Sequence, residues 1–438
     1  MPSVQSSLPL YRYYLGLAWR NCRKHPWYVA LTALIVGAGV GVFMTAYSLM
    51  HALAGDPIPD RSQRLLHISA SGVRSDSDPG FVSFPAFARF REAGRGAQWV
   101  GLTYGFGGIA AGDGSRRTAD LVRFTNASFF PAFEVPLRRG RAWTADEEAS
   151  GQPLAVVSTP LATQLFGGAD PIGRTLEVAG KTFRVIGVAG DWHPVPHFYD
   201  LSVGAYAPAD NLYLPLASVG ALGTDLFMAR SCPPGVSPDV SAADLPRSRC
   251  ASLQAWALLD STRDRKALEQ DLAALVPRGR TEGWLAADQE LRVENVRELL
   301  RRKANVPGGV RLGLLLAGGF LLLCLVNATG LLLAMFLRRT HEIGIRRALG
   351  ASRKDILRQF GVEAVVLGLL GSMAGLAITF GGVRVSGWLP KGFLQLASVD
   401  THVFLAATGV SVVATVAAAM YPAWRASAVE PAIQVKVD

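Results

Sequence analysis

Four long apolar runs punctuate the chain, at 27–53, 312–337, 362–383 and 403–424. Each nearly or fully supplies the roughly 20 apolar residues that a helix needs to cross hydrocarbon, where few structures other than a helix satisfy their own backbone. The pattern therefore predicts four membrane-spanning helices. It divides the chain into an arm at 1–26, spans at 27–53, 310–337, 362–383 and 403–424, and a domain at 54–309 inserted between the first two spans. A loop at 338–361, an outer loop at 384–402 and a tail at 425–438 complete it. Within the inserted domain the period changes. The strings RLLHISA (64–70) and LAVVST (154–159) read as short strands, and RTLEVAGKTFRVIGVAGD (174–191) reads as a hairpin turning at Ala179 and Gly180. SFPAFARFREAG (83–94) opens with Ser and Pro and spaces Phe84, Phe87 and Phe90 helically, while 264–275 and 288–303 also read as helices. Strands mixed with helices imply an α/β or α+β domain, with two lobes dividing near 191–208.

The arm places Leu10, Tyr14, Leu17 and Ala18 opposite Arg12, Arg20 and Arg23, the spacing of an amphipathic helix lying on a membrane face. Half of all residues are hydrophobic, and the net charge is +10. Residues 54–309 hold 28 basic and 28 acidic side chains of the chain's 44 and 34, which leaves 16 against 6 elsewhere, the whole excess. That excess gathers in the arm and in the loop at 338–361. By the positive-inside rule both are cytoplasmic, as are both termini, and the neutral domain lies outside the membrane. Nucleic acid is thereby excluded as a partner, and membrane lipid is included. The A-x-A string at 52–54 resembles a signal-cleavage site, but the apolar run before it is longer than the core of a secretory signal.

Catalytic and metal-binding patterns fail one by one. TLEVAGKT (175–182) lacks the first glycine of a phosphate-binding loop and falls between two strands, so Gly180 and Lys181 are turn residues. HEIGI begins at His341 like a zinc-protease helix, yet Ile345 stands where the second ligand belongs. Asp191, His193 and His197 could meet in a loop, although Pro194 and Pro196 break the helix that would align them. No catalytic residue, metal ligand or cofactor site is assigned. Of four cysteines, Cys22 and Cys324 belong to the membrane part. Cys232 and Cys250 bracket a Pro-rich loop of the outer domain, where an oxidising compartment permits a disulfide; two free thiols are the alternative. Gly37 with Gly41, and Gly371 with Gly375, make small-residue faces for close helix packing, preferred here within one chain over between two. Asn327 and Glu363 read as structural polar groups of the second and third spans.

The loop at 338–361 has more structure than topology requires. Glu342 and Arg346 are spaced i, i+4, Gly350 suits a helix end, and Ser352 with Asp355 forms a cap for a further helix. The reading is helix, tight break and capped helix, a stiff element joined to two spans. RRTHEIGIRRALGASRKDILRQF closely resembles the loop of the MacB/FtsX-like permeases of ATP-binding cassette transporters, matching at Glu342, Ile343, Gly344, Ile345, Arg346, Arg347, Ala348, Leu349, Gly350, Ala351, Ile356 and Phe360. The stretch from RRGRAWT through LFGGADPIG to VIGVAGD is similar to the family's MacB-like core domain. YPAWRASAVEPAIQV resembles its last-span ending.

The resemblance implies an α-helical membrane protein with four transmembrane helices and a large mixed α/β (α+β) extracytoplasmic core domain. It implies a non-catalytic permease subunit of a bacterial inner membrane that binds no cofactor itself. With 26 residues ahead of the first span, ATP and Mg would be held by a separate ATPase subunit dimer. A second permease copy or a sister permease, and a periplasmic adaptor, complete the implied partners. Glu342 to Arg347 and Leu349 to Ala351 would be the ATPase-coupling residues, relaying ATP-driven motion to the outer domain for export or extraction of a substrate. The rival reading is a regulator that moves an outer partner, such as a cell-wall hydrolase, without cargo.

Overall fold

The computed structural model describes residues 8–24, 26–72, 80–112, 114, 117–222, 227–233, 235–285, 289–303, 308–385 and 401–428. Two compact units emerge, one from 1–54 with 306–438 and one from 55–305. The outer loop expected at 384–402 and the tail motif past Ala428 lie almost wholly outside the described residues.

In the first unit, α1 (Leu8–Lys24) is followed by α2 (Pro26–Ala54). In the inserted unit, β1 (Leu65–Gly72), β2 (Val82–Ser83), α3 (Phe84–Ala93), β3 (Ala97–Ala111) and β4 (Arg117–Thr125) come first. Next are α4 (Phe129–Ala132), β5 (Leu137–Gly140), α5 (Ala145–Ala149), β6 (Leu154–Ser158), α6 (Thr159–Phe166), β7 (Thr175–Val178) and β8 (Lys181–Ala189). The unit closes with β9 (Leu212–Pro215), β10 (Phe227–Met228), β11 (Ala251–Leu259), α7 (Arg265–Glu282), β12 (Gln289–Asn295) and α8 (Val296–Lys303). The chain then returns to the first unit through α9 (Gly308–Leu337), α10 (Thr340–Ala348), α11 (Arg353–Val385) and α12 (Thr401–Ala428).

Helices α2, α9, α11 and α12 are each long and apolar enough to cross a membrane. Between α2 and α11 the two glycine faces meet inside one chain. A Cβ on Gly37 would stand 2.7 Å from the Ala374 Cβ and 2.8 Å from the Gly371 carbonyl oxygen, and one on Gly41 would stand 2.8 Å from the Gly375 oxygen. Contact at backbone level is what small-x3-small spacing permits.

The inserted unit is built on one sheet in the order β12-β1-β11-β3-β4-β9-β6-β8-β5. Strand β3 is 15 residues long and pairs with β4, β7, β10 and β11. Alternate residues feed two cores, one on each face. Ala155 and Val157 enter one cluster with Leu66, Ala255 and Phe90, whereas Leu154 and Val156 enter the other with Leu65, Trp256 and Phe129. A period of 2 on a sheet covered on both sides explains why strands such as LAVVS read as continuous apolar runs. The hairpin turns as its sequence requires, with Ala179 at φ 47° and Gly180 at φ 74°. Cys232 and Cys250 are disulfide-bonded, with Cα atoms 4.2 Å apart.

Two expectations are corrected. Residues 288–303 are not one helix: Gln289–Asn295 is a strand antiparallel to β1, and only Val296–Lys303 is helical. Leu291 and Val293 alternate toward the core, and Asn295 starts the helix. Its side chain accepts from the Glu298 N–H at 2.9 Å while the Glu298 carboxylate accepts from the Asn295 N–H at 2.9 Å. The stretch 191–208 is also no boundary between consecutive lobes, because β9, which follows it, inserts between β4 and β6. Residues 129–189 form an excursion that β9 stitches back into the sheet.

His67 on β1 is 2 % exposed and bonds the Gln254 side chain at 2.7 Å. Burial, against the smaller opposing effect of Gln254, pushes its pKa down to about 4 from the usual 6.5. The unfolded chain therefore binds the proton first, and the stability held by neutral His67 is lost as pH falls from about 6.5 toward 4. Urea titrations at pH 7 and pH 4.5 are expected to differ by about 2–3 kcal/mol from this group. A His67→Phe variant should show a correspondingly shallower loss.

Candidate functional site

The short helix α10 lies between the second and third spans, and its C-terminal end is fixed by local hydrogen bonding. At its C-terminus the Ala351 N–H donates to the Arg346 carbonyl at 3.0 Å and the Gly350 N–H to the Arg347 carbonyl at 3.1 Å, with Gly350 at φ 98°. This is a Schellman ending, and its left-handed position demands glycine. Ser352 and Asp355 then cap α11: the Asp355 N–H donates to Ser352 Oγ at 3.3 Å, and the Ser352 N–H to Asp355 Oδ2 at 3.1 Å. Helix, break and capped helix are thus all present as the sequence indicates.

The face that α10 turns outward is the unexpected part. Ile343 is 8 % exposed and joins Phe336, Ile356 and Phe360 in an apolar cluster, with Gly344 buried beside it. Opposite them, Ile345 is 49 % and Leu349 is 83 % exposed, with Ala348 and His341 on the same arc. An amphipathic helix in a solitary protein turns its apolar arc inward. Here the arc of Ile345, Ala348 and Leu349 faces away from the bundle, rimmed by Glu342, whose Oε1 accepts from Arg346 Nη2 at 2.6 Å. Arg347 is half-buried, and Ala351 packs against the apolar cluster.

Beneath the helix is a polar constellation of which the sequence singled out only Glu363 and Arg346. The Glu363 carboxylate, 5 % exposed, accepts from Arg339 Nη1 at 3.1 and 3.3 Å, from Asn21 Nδ2 at 2.6 Å and from Gln359 Nε2 at 3.5 Å. Arg346 Nη1 in turn donates to Gln359 Oε1 at 2.8 Å. The one available signal was an acid and an amide, Glu363 and Gln359, four residues apart where α11 becomes apolar. Its partners come from segments far away in sequence, which no local pattern reveals.

The histidine loop does not form a centre. His193 Nε2 lies 2.6 Å from Asp191 at the surface, whereas His197 is buried and bonds the Tyr199 hydroxyl. Among the described residues no cluster of His, Cys, Asp and Glu suits a metal ion. TLEVAGKT is a hairpin and not a strand–loop–helix unit.

Residues 29–275 match the MacB-like periplasmic core domain, more than half of the chain, and residues 314–431 match the FtsX-like permease C-terminal domain. The chain belongs to the MacB/FtsX-like family of ABC transporter permeases. Similar members include the uncharacterized ABC transporter permease YknZ of Bacillus subtilis, 26% identical over 62% of this chain. The pyoverdine export ATP-binding/permease protein PvdT of Pseudomonas aeruginosa is 29% identical over 65%, and the macrolide export ATP-binding/permease protein MacB of Azoarcus is 27% identical over 60%. The matched regions span 60%, 38% and 34% of those proteins' own lengths. Among solved structures, the periplasmic region of MacB from Actinobacillus actinomycetemcomitans aligns over 57% of this chain and 97% of its own, at 16% identity and a TM-score of 0.38. The first match spans most of α2 and β1 through part of α7, and the second spans most of α9 with α10, α11 and α12.

Proposed function

We propose that this permease receives the motion of an ATP-binding partner subunit at α10 and passes it through its spans to the inserted domain, so that a substrate is exported or extracted. One observation carries this reading: a short helix, closed at its C-terminus by the Gly350 break, presents Ile345, Ala348 and Leu349 outward. An exposed apolar patch rimmed by charge is the form of a protein-docking surface. The charge pattern supports the orientation. The basic arm meets the loop at one end of the bundle, where Asn21 bonds Glu363 and the Arg338 guanidinium lies 5.3 Å from the Tyr28 ring, and the positive-inside rule makes that end cytoplasmic, where ATP is found. The names of PvdT and MacB, each an export ATP-binding/permease protein, join permease to ATP-binding function. ATP and Mg belong to the partner in this reading, and the permease works as a pair with itself or a sister permease.

The test is co-purification of the full-length chain with the ATP-binding subunit of its transporter. Ile345→Glu with Leu349→Glu should weaken the association at least about tenfold, because hot spots of docking surfaces are apolar anchors near the centre of the patch. Glu342→Lys should act in the same direction through Arg346. Undiminished association of the double variant overturns the docking role of α10.

A further inference from the structure

We propose that Glu363 is a positioning residue: one buried carboxylate on α11 that ties the arm α1 and the helix α10 to the third span, so that the three move as one body. The role in transmission rests on α10 being the docking helix, whereas the tie itself does not.

The geometry supports a latch. Three different segments donate to the same side chain, Arg339 at the start of α10, Asn21 on α1 and Gln359 one turn back on α11. Gln359 then holds Arg346, so α10 is pinned to α11 at Arg339 and at Arg346. Those residues are two turns apart, about 10 Å along the axis. A helix pinned at one point pivots, and a helix pinned at two translates with what holds it. Apolar packing alone would not supply the second pin, since Ile343 and Gly344 are the buried positions of α10 among the described residues. The arm is attached by the same logic. Tyr14, Ala18 and Asn21 form one stripe of α1, with Tyr14 and Ala18 buried and Asn21 reaching Glu363. A push received on Leu349 therefore reaches α11 at the level of Glu363 and carries α1 along, instead of being absorbed at the Gly350 break.

Hydrogen–deuterium exchange on the full-length chain in phospholipid nanodiscs, with no ATPase present, tests the tie apart from docking. Glu363→Gln should raise exchange of residues 8–24 and 340–348 together by about tenfold, with α2 and α9 unchanged. Asn21→Ala should free residues 8–24 alone, and it remains informative if the Glu363 variant fails to fold. Arg339→Glu combined with Glu363→Arg should restore protection of α10 relative to Arg339→Glu alone, a rescue that a packing role cannot produce. Wild-type exchange of residues 8–24 in Asn21→Ala, or no rescue in a folded double variant, overturns the latch while leaving the docking role of α10 untouched.

Discussion

Replacing Arg123 by leucine is expected to cost the inserted domain about 3–5 kcal/mol, because it strands two buried carboxylates. Arg123 on β4 is fully buried, and its Nε and Nη2 donate to Asp210 at 2.8 and 3.0 Å while Nη1 donates to Asp200. Tyr199 adds a hydroxyl donor to Asp210 at 2.8 Å, and the guanidinium lies 5.4 Å from the Tyr199 ring. Burial would raise the pKa of Asp210, yet Arg123 outweighs it and the value lies below the usual 3.8. A carboxylate with a depressed pKa contributes stability that is full above the unfolded value and is lost as pH falls through the folded one. Wild-type protein therefore keeps this contribution down to about pH 4 and loses it below. In Arg123→Leu the Asp210 carboxyl, buried without its guanidinium, takes up its proton at higher pH, so the deficit should be greatest near neutrality and shrink on acidification. Paired urea titrations of the two proteins between pH 7 and pH 4 measure that difference, and His67 titrates in both and cancels. A deficit independent of pH would mean that Arg123 acts through packing alone.

Gly37→Leu is the second large effect, expected to destabilise the membrane unit by about 3 kcal/mol or more. The atoms that a new Cβ would meet at 2.8 and 3.0 Å are the Gly371 carbonyl oxygen and the Gly375 nitrogen, main-chain groups of α11 that cannot rotate away. Relief requires α2 and α11 to separate along the whole crossing. Gly330 on α9 offers the control, because nothing stands within 4 Å of a Cβ built there. Thermal aggregation of detergent-solubilised protein should shift sharply for Gly37→Leu and little for Gly330→Leu. Equal shifts would remove the close α2–α11 approach from the account.

The spans were legible because apolar runs of that length have few other structural uses. The Ala179-Gly180 turn was legible because a left-handed pair is demanded there and the sequence supplies it. The strand at 289–295 was not, because QELRVEN contains both a helical and an alternating reading, and only pairing with β1 decides between them. The segment at 338–361 was legible in its break and in the cap of α11 but not in its orientation. Helical spacing puts Ile345, Ala348 and Leu349 on one arc, but only the packing of Ile343 against Phe336 and Phe360 tells which arc is outward. Glu363 was legible as an acid in an apolar helix but not as a meeting point, since Asn21 lies 342 positions away.

The strands through which the chain enters and leaves the inserted domain are immediate neighbours. Leu66 of β1 is paired with Asn295 of β12, and Asp56, ahead of β1, accepts from Arg297 Nε at the start of α8 at 2.7 Å. The Val296 N–H also donates to the Ser62 carbonyl at 3.2 Å, and the Asn295 amide to Gln63 at 3.3 Å. Two cords attached to adjacent antiparallel strands at the same end load the ladder as a zip, one rung at a time, which is its weakest direction. Those three contacts act as the stop below the first rung. Tension applied at both connections would act on the domain as a whole with the stop closed; with it open, the same tension would begin to part β1 from β12.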